Sequence, residues 1–495
     1  MKTRCLIFAL LLLAAVTPAD AAPSVKLAQA ALGNIFVAGE PIVIPVHGGQ
    51  GNLRWDIRDF FGAEVASGAT PTSGETTLLR LPITSLGYFT LKIAAEEGGQ
   101  GAAEARTVLA VVPLPSQTGR ASPFGVMTHF AKGWPTDIIP LIEKAGIRHV
   151  RDEQPWRQVE RQRAQYAFPP RLSTYMSELA AHHLDSLIVL AFSNPLYDGD
   201  QTPFSDAGRA GYAAYARAVA QHYAPAVSAV EIWNEYNGSF CTGPCRSDRP
   251  SYYASMLQES YKSLKAANPS LTVLGGAAVP IPLDYFGKLF EKGALDSMDA
   301  VVIHPYRRQP EGVEQQIDSL RQLMARYGTP KPIWATEFGD LADMRKSRDD
   351  VARYLVRMST LLLGAKTDRI YWYLMRDYQE FTGLGLVRDE TDPLGRYTPT
   401  PAYAAYATLI HQLDGAGFVR REASDPATRI YLFADGKREI RVLWSAIPGA
   451  IYEVASEIPM QRVSMMGDVK FLTPQNGRVA VALDQNPFYL VGGAP

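Results

Sequence analysis

The stretch VSAVEIWNEYNGSF, residues 227–240, begins like a buried strand and ends in polar residues. It lies between two segments with helical periodicity, residues 206–223 and 250–267. A short apolar strand between two helices is the repeating unit of an α/β fold with parallel strands. The stretch also places a carboxylate, Glu235, where the strand leaves the core. A carboxylate beside aromatic rings is unfavourable to bury unless it has a partner or a chemical task.

The same unit repeats on both sides of this stretch. Eight strand candidates alternate with helix candidates over residues 120–413, which matches the size of a (β/α)8 barrel. An open doubly wound sheet is the alternative, but it requires a glycine-rich phosphate turn after the first strand, and none is present. The predicted strands are residues 124–130, 149–154, 186–194, 229–235, 272–279, 299–306, 332–338 and 369–375. The predicted helices are residues 135–146, 171–183, 206–223, 250–267, 283–293, 311–327, 346–364 and 400–413.

Regions of short strands flank the predicted barrel. Residues 24–112 alternate apolar and polar side chains between glycine-rich turns, which predicts a small antiparallel β-sandwich. Strands without intervening helices return from about residue 415. We therefore predict an α/β chain with a signal peptide (1–22), an N-terminal β-sandwich (23–118), a (β/α)8 catalytic barrel (119–414) and a C-terminal β-domain (415–495).

The N-terminus predicts export. Lys2 and Arg4 precede an apolar run, and residues 19–21 form an A-x-A cleavage site. The apolar run is too short to span a bilayer comfortably, and no cysteine ends it for lipid attachment. We expect an exported protein, periplasmic or extracellular, that does not insert into a membrane.

Charge and cysteine content narrow the function further. The 49 basic and 50 acidic residues nearly cancel, so the chain lacks the basic footprint of a nucleic-acid-binding protein. We expect a monomer with a neutral partner. Cys241 and Cys245 are the only cysteines beyond the signal peptide, and two nearby thiols in an oxidising compartment are expected to form a disulfide. A metal or redox pair is the alternative, for which no further ligands lie nearby.

In a (β/α)8 barrel the reactive side chains lie at the C-terminal ends of the strands. Glu235 ends the fourth strand, and Glu337 ends the seventh, opposite it. Glu231 lies roughly 13 Å deeper on the same face as Glu235, so we expect it to be a core ion-pair partner. Two carboxylates across an aromatic-lined cleft suit the hydrolysis of a glycosidic bond, one as acid and one as nucleophile or base.

Other strand-end residues suit substrate binding. His304 and Tyr306 are expected to orient the strand-seven carboxylate, Asn234 to hold a sugar hydroxyl, and Arg151 to lower the pKa of a nearby carboxylate. Any one of these residues alone is more often structural, and their joint placement supports the prediction. The predicted substrate-binding set is His129, Arg151, Asn194, Asn234, His304, Tyr306 and Trp372.

The motifs EIWNE on the fourth strand and ATEFG on the seventh resemble those of the clan A glycoside hydrolases, which are retaining (β/α)8 enzymes. The motif spacing, the IHPY on the sixth strand and the flanking β-domains are most similar to family 39 and relatives acting on bacterial exopolysaccharides. The resemblance implies Glu235 as general acid/base and Glu337 as nucleophile. Many relatives continue Asn-Glu-Pro where this chain has Tyr236, which alters the loop containing the two cysteines.

Three functions were weighed against these features. A secreted retaining glycosidase that cleaves a polysaccharide or oligosaccharide, without metal or organic cofactor, accounts for most of them. A carbohydrate-binding or matrix protein whose barrel has lost activity is the alternative, and Tyr236 and the accessory domains are compatible with it. A serine esterase would require a G-x-S-x-G elbow, which the sequence lacks.

Overall fold

The N-terminal region is a two-layer β-sandwich. The computed structural model describes residues 25–49, 51–72, 74–95, 103–115, 118–340, 347–378, 381–422 and 425–493. The first strands are β1 (Lys26–Leu27), β2 (Ile35–Val37), β3 (Val43–His47), β4 (Asn52–Asp59), β5 (Glu64–Pro71), β6 (Thr76–Arg80), β7 (Gly87–Ala95) and β8 (Ala103–Val112). They form one sheet in the order β1-β3-β6 and another in the order β2-β8-β7-β4-β5, and the apolar faces of both sheets share a core.

The centre of the chain is a closed barrel of eight parallel strands, as predicted. Its neighbours run β9, β10, β13, β14, β15, β16, β17, β18 and back to β9, while β11 and β12 form a hairpin outside the barrel. The bounds are β9 (Phe124–Met127), β10 (His149–Pro155), β11 (Glu160–Gln162), β12 (Gln165–Tyr166), β13 (Asp185–Ala191), β14 (Val227–Ile232), β15 (Thr272–Ala278), β16 (Ala300–Ile303), β17 (Ile333–Phe338) and β18 (Arg369–Trp372).

Helices connect the barrel strands and cover their outer faces. The strands are therefore buried on both sides, which explains the continuous apolar run of residues 187–191 in β13. Side-chain caps begin three of the helices, because Ser205 accepts a hydrogen bond from the Gly208 N–H, Asp248 from the Ser251 N–H and Ser347 from the Asp350 N–H. The helices are α1 (Ile139–Lys144), α2 (Trp156–Val159), α3 (Pro170–Ala181), α4 (Asp206–His222), α5 (Arg249–Ala267), α6 (Leu283–Glu291), α7 (Val313–Ala325), α8 (Arg348–Gly364) and α9 (Pro401–Leu413).

A second β-domain follows the barrel. A six-stranded sheet runs β19-β20-β21-β26-β23-β24, and β22 pairs with β25. The Trp444 indole N–H of this domain donates to Glu311 of the barrel at 3.2 Å, so the two regions are in contact. The strands are β19 (Gly417–Arg421), β20 (Thr428–Ala434), β21 (Arg438–Ser445), β22 (Ala450–Ala455), β23 (Met460–Ser464), β24 (Val469–Leu472), β25 (Arg478–Leu483) and β26 (Phe488–Gly493). Across the described ranges, every helix is too short or too polar to traverse a bilayer.

Candidate active site

Glu235 and Glu337 meet at the C-terminal rim of the barrel. A carboxylate oxygen of each, together with a ring nitrogen of His304, lie within 4.8 Å of one another. Carboxyl groups about 5–5.5 Å apart are typical of retaining glycosidases, whereas inverting enzymes separate theirs by about 6.5–9.5 Å. The two strand ends therefore come together as the sequence predicts, at a separation that suits direct attack on a sugar.

The backbone turns sharply before Glu235. Strand β14 ends at Ile232, three residues earlier than predicted, because Trp233 (φ 69°) and Glu235 (φ 42°) adopt the left-handed conformation. Such conformations are unfavourable for residues with a side chain and persist only where surrounding contacts hold them. Here the Gly238 N–H donates to the Glu235 carbonyl at 2.8 Å and closes the turn.

The turn also corrects the predicted alternation along β14. Period two places Glu231, Trp233 and Glu235 on one face, but the structure packs the Trp233 ring against Tyr212 of α4 and against Tyr236. Trp233 is buried, so it does not line the cleft. The positive φ at Trp233 breaks the alternation, so that of these three residues only Glu231 and Glu235 point into the barrel interior.

Glu337 is held by two donors. The Arg151 guanidinium donates to one carboxylate oxygen, and the Tyr306 hydroxyl donates to the other at 2.7 Å. Burial by itself would favour the neutral acid, yet the positive charges of His304 and Arg151 hold the pKa of Glu337 below its usual range. Glu337 is therefore ionised and oriented, as a nucleophile must be.

Glu231, deeper in the barrel on β14, holds the Arg151 guanidinium in place. The Arg151 Nε and Nη2 atoms each donate to a Glu231 oxygen at 2.9 Å, and Nη2 also donates to the Asn234 side-chain oxygen at 2.8 Å. Both charged groups are almost fully buried. Although burial opposes ionisation, Arg151 lowers the pKa of Glu231 to about 2. The prediction that Glu231 is a core ion-pair partner is confirmed.

His304 lies between the two carboxylates. Its Nδ1 is 3.0 Å from a Glu235 oxygen and 3.8 Å from a Glu337 oxygen, and its Nε2 is 3.0 Å from the Thr336 hydroxyl. Burial opposes the charged ring, but Glu337 and the neighbouring glutamates raise the pKa of His304 to about 9. A cation at this point stabilises the ionised form of the Glu337 carboxylate.

The two carboxylates differ in exposure. The Glu235 side chain is 19% exposed and the Glu337 side chain 9% exposed. The described partner of Glu235 is His304, whereas Glu337 also has Arg151 and Tyr306. Glu235 can exchange protons with solvent, while Glu337 is locked in position, so the two groups suit different tasks.

Within the described residues, Glu235, His304 and Glu337 are also the one group spaced like metal ligands. Both ring nitrogens of His304 already face partners, since Nδ1 is 3.0 Å from a Glu235 oxygen and Nε2 is 3.0 Å from the Thr336 hydroxyl. Both oxygens of Glu337 already accept hydrogen bonds. The donor set therefore fits a pair of proton-transfer groups better than a metal ion.

His129 lies at the rim in an aromatic cluster. Its ring centroid is 5.3 Å from that of Trp134 and 5.4 Å from that of Tyr378, and its Nε2 is 3.5 Å from the Tyr373 hydroxyl. Burial lowers the pKa of His129 well below its usual value, so the ring is neutral at neutral pH. The Tyr373 ring also contacts that of Tyr306, with centroids 6.3 Å apart, which places this cluster beside Glu337.

Sequence reasoning missed this aromatic wall. Tyr373, whose ring contacts those of His129 and Tyr306, directly follows Trp372 in the sequence. Trp372 is fully buried between Phe338 and Tyr354, and its indole N–H donates to the Leu384 carbonyl at 3.0 Å. The prediction that Trp372 binds substrate is therefore corrected, because the ring presents no open face.

Asn194 is also placed away from the carboxylates. Its amide NH2 donates to the Glu160 carbonyl at 2.8 Å, and its oxygen accepts from the Leu196 N–H at 3.0 Å. The side chain is buried, with both polar ends bonded to backbone. The structure corrects its predicted role from substrate contact to organisation of the loop after β13.

The loop after Glu235 contains the predicted disulfide between Cys241 and Cys245. The Arg246 Nε donates to the Cys241 carbonyl at 3.1 Å and braces the loop. The loop also carries Tyr236, which is buried against Tyr253 of α5. Tyr236 thus acts as a core residue that anchors the loop.

Comparison with known proteins agrees with this geometry. Residues 218–397 match the family model described as "Glycosyl hydrolase catalytic core", a span that includes Glu235 and Glu337. No curated protein is significantly similar to the chain in sequence. The matched core and the barrel agree with the predicted enzyme class, a glycoside hydrolase, and the predicted resemblance to clan A enzymes is confirmed in the fold.

Among solved structures, the chain is similar over its whole architecture to a family 39 glycoside hydrolase from the gut symbiont Bacteroides cellulosilyticus WH2. The identity is 21% and the TM-score 0.77, covering 92% of this chain and 98% of that one. A family 39 β-xylosidase from Caulobacter crescentus gives 16% identity and a TM-score of 0.55, covering 77% of this chain and 97% of that one. A family 30 endoxylanase from Clostridium papyrosolvens C71 gives 13% identity and a TM-score of 0.54, covering 77% of this chain and 99% of that one. At these identities the likeness establishes the fold.

Proposed function

We propose that the protein is an exported retaining glycoside hydrolase that cleaves a polysaccharide or oligosaccharide by double displacement. Glu235 is the general acid/base and Glu337 is the nucleophile. The observation that carries the proposal is the pair of carboxylates within 4.8 Å, one of them held by Arg151 and Tyr306. A separation this short leaves little room for the water molecule that an inverting enzyme places between its acid and its base.

In the first step, Glu337 attacks the anomeric carbon while Glu235 gives its proton to the glycosidic oxygen. The bond between the anomeric carbon and the leaving oxygen breaks, and an ester between Glu337 and the sugar forms. In the second step, Glu235, now a carboxylate, takes a proton from water. The water oxygen attacks the anomeric carbon, and the ester bond to Glu337 breaks.

The surrounding residues support these steps without changing covalently. Arg151 and Tyr306 fix both oxygens of Glu337, so the nucleophile loses little freedom when the sugar binds. His304 orients Glu235 through its Nδ1–H. Asn234, whose oxygen accepts from Arg151, presents its amide NH2 to a hydroxyl beside the bond being cut.

The proposals of export and of substrate class rest on the N-terminal sequence, the disulfide and the family resemblance. The features of residues 1–22 are those of a signal peptide, and a disulfide is the form expected in an oxidising compartment. The resemblance to family 39 relatives that act on bacterial exopolysaccharides makes these polymers the first substrates to test.

A reducing-end assay across bacterial exopolysaccharides and plant β-glycans tests the proposal, with Glu337→Gln as the blank. We expect new reducing ends with the wild-type protein and none above background with the variant. Proton NMR during the first minutes of reaction should show product with the anomeric configuration of the substrate. Inverted product would contradict double displacement, and binding without new reducing ends would indicate a carbohydrate-binding protein instead.

A further inference from the structure

A cleft of 430 Å³ lies between the loop after β14 and the loop after β15. Asn237, two residues beyond Glu235, lines it, and the N-termini of α5 and α6 form its far wall. In the proposed mechanism Glu235 protonates the leaving oxygen, so the loop that follows Glu235 lies on the leaving-group side. The volume falls within the range typical of small-molecule pockets, about 300–1,000 Å³.

Positive charge predominates in this cleft. Three cationic side chains line it, Arg246, Arg249 and Lys288, against the two carboxylates of Asp248 and Asp284. The Asp248 carboxylate is already engaged, because it caps α5 by accepting from the Ser251 N–H at 3.2 Å. The N-termini of α5 and α6 add partial positive charge, which favours an anion.

Two buried polar atoms in the cleft wall have no acceptor among the described residues. They are the Tyr285 hydroxyl and the Arg249 Nε. Tyr285 is 8% exposed, so its hydroxyl is largely withdrawn from solvent. A buried donor left without a partner is destabilising by roughly 1–3 kcal/mol, and a ligand that brings acceptor oxygens removes that penalty.

The cleft is held in shape before any ligand arrives. The Asn237 amide donates to the Val279 carbonyl at 2.6 Å and accepts from the Val279 N–H at 3.0 Å, joining the two loops. On the other side, the Cys241–Cys245 disulfide and the Arg246 bond to Cys241 brace the wall. A preformed site binds with a smaller ordering penalty than a mobile one.

We propose that this cleft is a leaving-group-side subsite that binds a sugar carrying a carboxylate, such as a uronic acid residue of an acidic polysaccharide. The planar guanidinium of Arg249 suits a carboxylate, which it can bind through two parallel hydrogen bonds. The Tyr285 hydroxyl donates to the same group or to a ring hydroxyl. The assignment to the leaving-group side rests on the proposed function.

The test measures binding to the full-length Glu337→Gln variant, so the result does not depend on turnover. Glucuronate and glucose are titrated separately at constant ionic strength and followed by ligand-observed NMR. We expect glucuronate to bind at least tenfold more tightly than glucose. Equal affinities would overturn the proposal.

Variants assign that preference to the cleft. Arg249→Gln should abolish it, and Tyr285→Phe, which removes one oxygen, should weaken glucuronate binding severalfold. Lys262→Gln removes the same charge from an exposed position on α5 and should change nothing. Should Arg249→Gln fail to fold, as judged by its Tm, Tyr285→Phe decides alone. A preference that survives the folded variants would overturn the proposal.

The two proposals can fail separately. Hydrolysis of polysaccharides by the wild-type protein, without any preference for glucuronate, would remove the acidic subsite and leave the glycosidase. A cleft-dependent preference for glucuronate without hydrolysis of any substrate would remove the double displacement and leave the binding site.

Discussion

The ends of β14, β16 and β17 differ from the ends of β13 and β18, although all five carry polar or aromatic residues. The first three bring Glu235, His304 and Glu337 within 4.8 Å of one another. The ends of β13 and β18 carry Asn194 and Trp372, which are buried and hydrogen-bonded to backbone carbonyls. A polar residue at a strand end is therefore a candidate site residue only if its side chain is not already hydrogen-bonded to backbone groups.

The partners of each group explain the difference. Glu235 and Glu337 bond to other side chains, namely His304, Arg151 and Tyr306, and both carboxylates keep some exposure to solvent. Asn194 instead satisfies both its donor and its acceptor with backbone groups, the Glu160 carbonyl of β11 and the Leu196 N–H of its own loop. Side-chain networks organise chemistry at the rim, whereas bonds to backbone organise loops.

Among the substitutions that test this contrast, Glu337→Gln should reduce activity the most. The amide keeps the shape and removes the attacking charge, so kcat/KM on any hydrolysed glycan should fall by on the order of 10⁴-fold or more. Steady-state kinetics check this, with the Tm confirming that the variant is folded. Wild-type-like turnover would show that the ends of β14 and β17 do not form the reactive pair.

Glu235→Ala should depend on the leaving group. Loss of the general acid should reduce kcat/KM on a polysaccharide by about 10²–10⁴-fold, and by much less on aryl glycosides whose leaving groups need no proton. Kinetics on a series of aryl glycosides of graded leaving-group pKa measure the difference. An equal loss across that series would contradict the role of Glu235 as acid.

Arg151→Met tests the network beneath the pair. The change leaves the Glu231 carboxylate buried without its partner, which should lower the free energy of unfolding by about 3–5 kcal/mol. Urea denaturation measures the loss. Arg151→Met with Glu231→Gln in the same chain should recover part of that stability, because Glu231 is then neutral, but should not recover activity, because the charged Glu337 still lacks its Arg151 donor.

The alternation of strands and helices in the barrel can be predicted from the sequence, because apolar runs and helical periodicity are local patterns. The two carboxylates were predictable for the same reason, since they terminate strands of known direction. The positions of Trp233 and Tyr373 were not, because the positive φ at Trp233 and the end of β18 at Trp372 interrupt the alternation of side chains along these strands. Contacts between distant loops, such as Asn237 with Val279, leave no local pattern.

The pH dependence of stability tests the charge on His304. Its pKa is raised in the folded protein to about 9, so its stabilising contribution is fully present below pH 6.5 and is lost as the pH rises through about 9. The wild-type protein should therefore lose on the order of 1–3 kcal/mol across this range, relative to His304→Gln. Chemical denaturation at several pH values measures the difference. His47→Gln, at an exposed histidine of the sandwich, should follow the wild type.

The smallest effect on catalysis is expected at the end of β13. Asn194→Ala removes two hydrogen bonds to loop backbone and should lower the free energy of unfolding by about 1–3 kcal/mol. Since both partners of the side chain are backbone groups outside the carboxylate network, kcat/KM measured well below the Tm should stay within about threefold of wild type, which is less than 1 kcal/mol of transition-state stabilisation. A far greater loss in a folded variant would place the end of β13 within the site and remove the contrast between the two sets of strand ends.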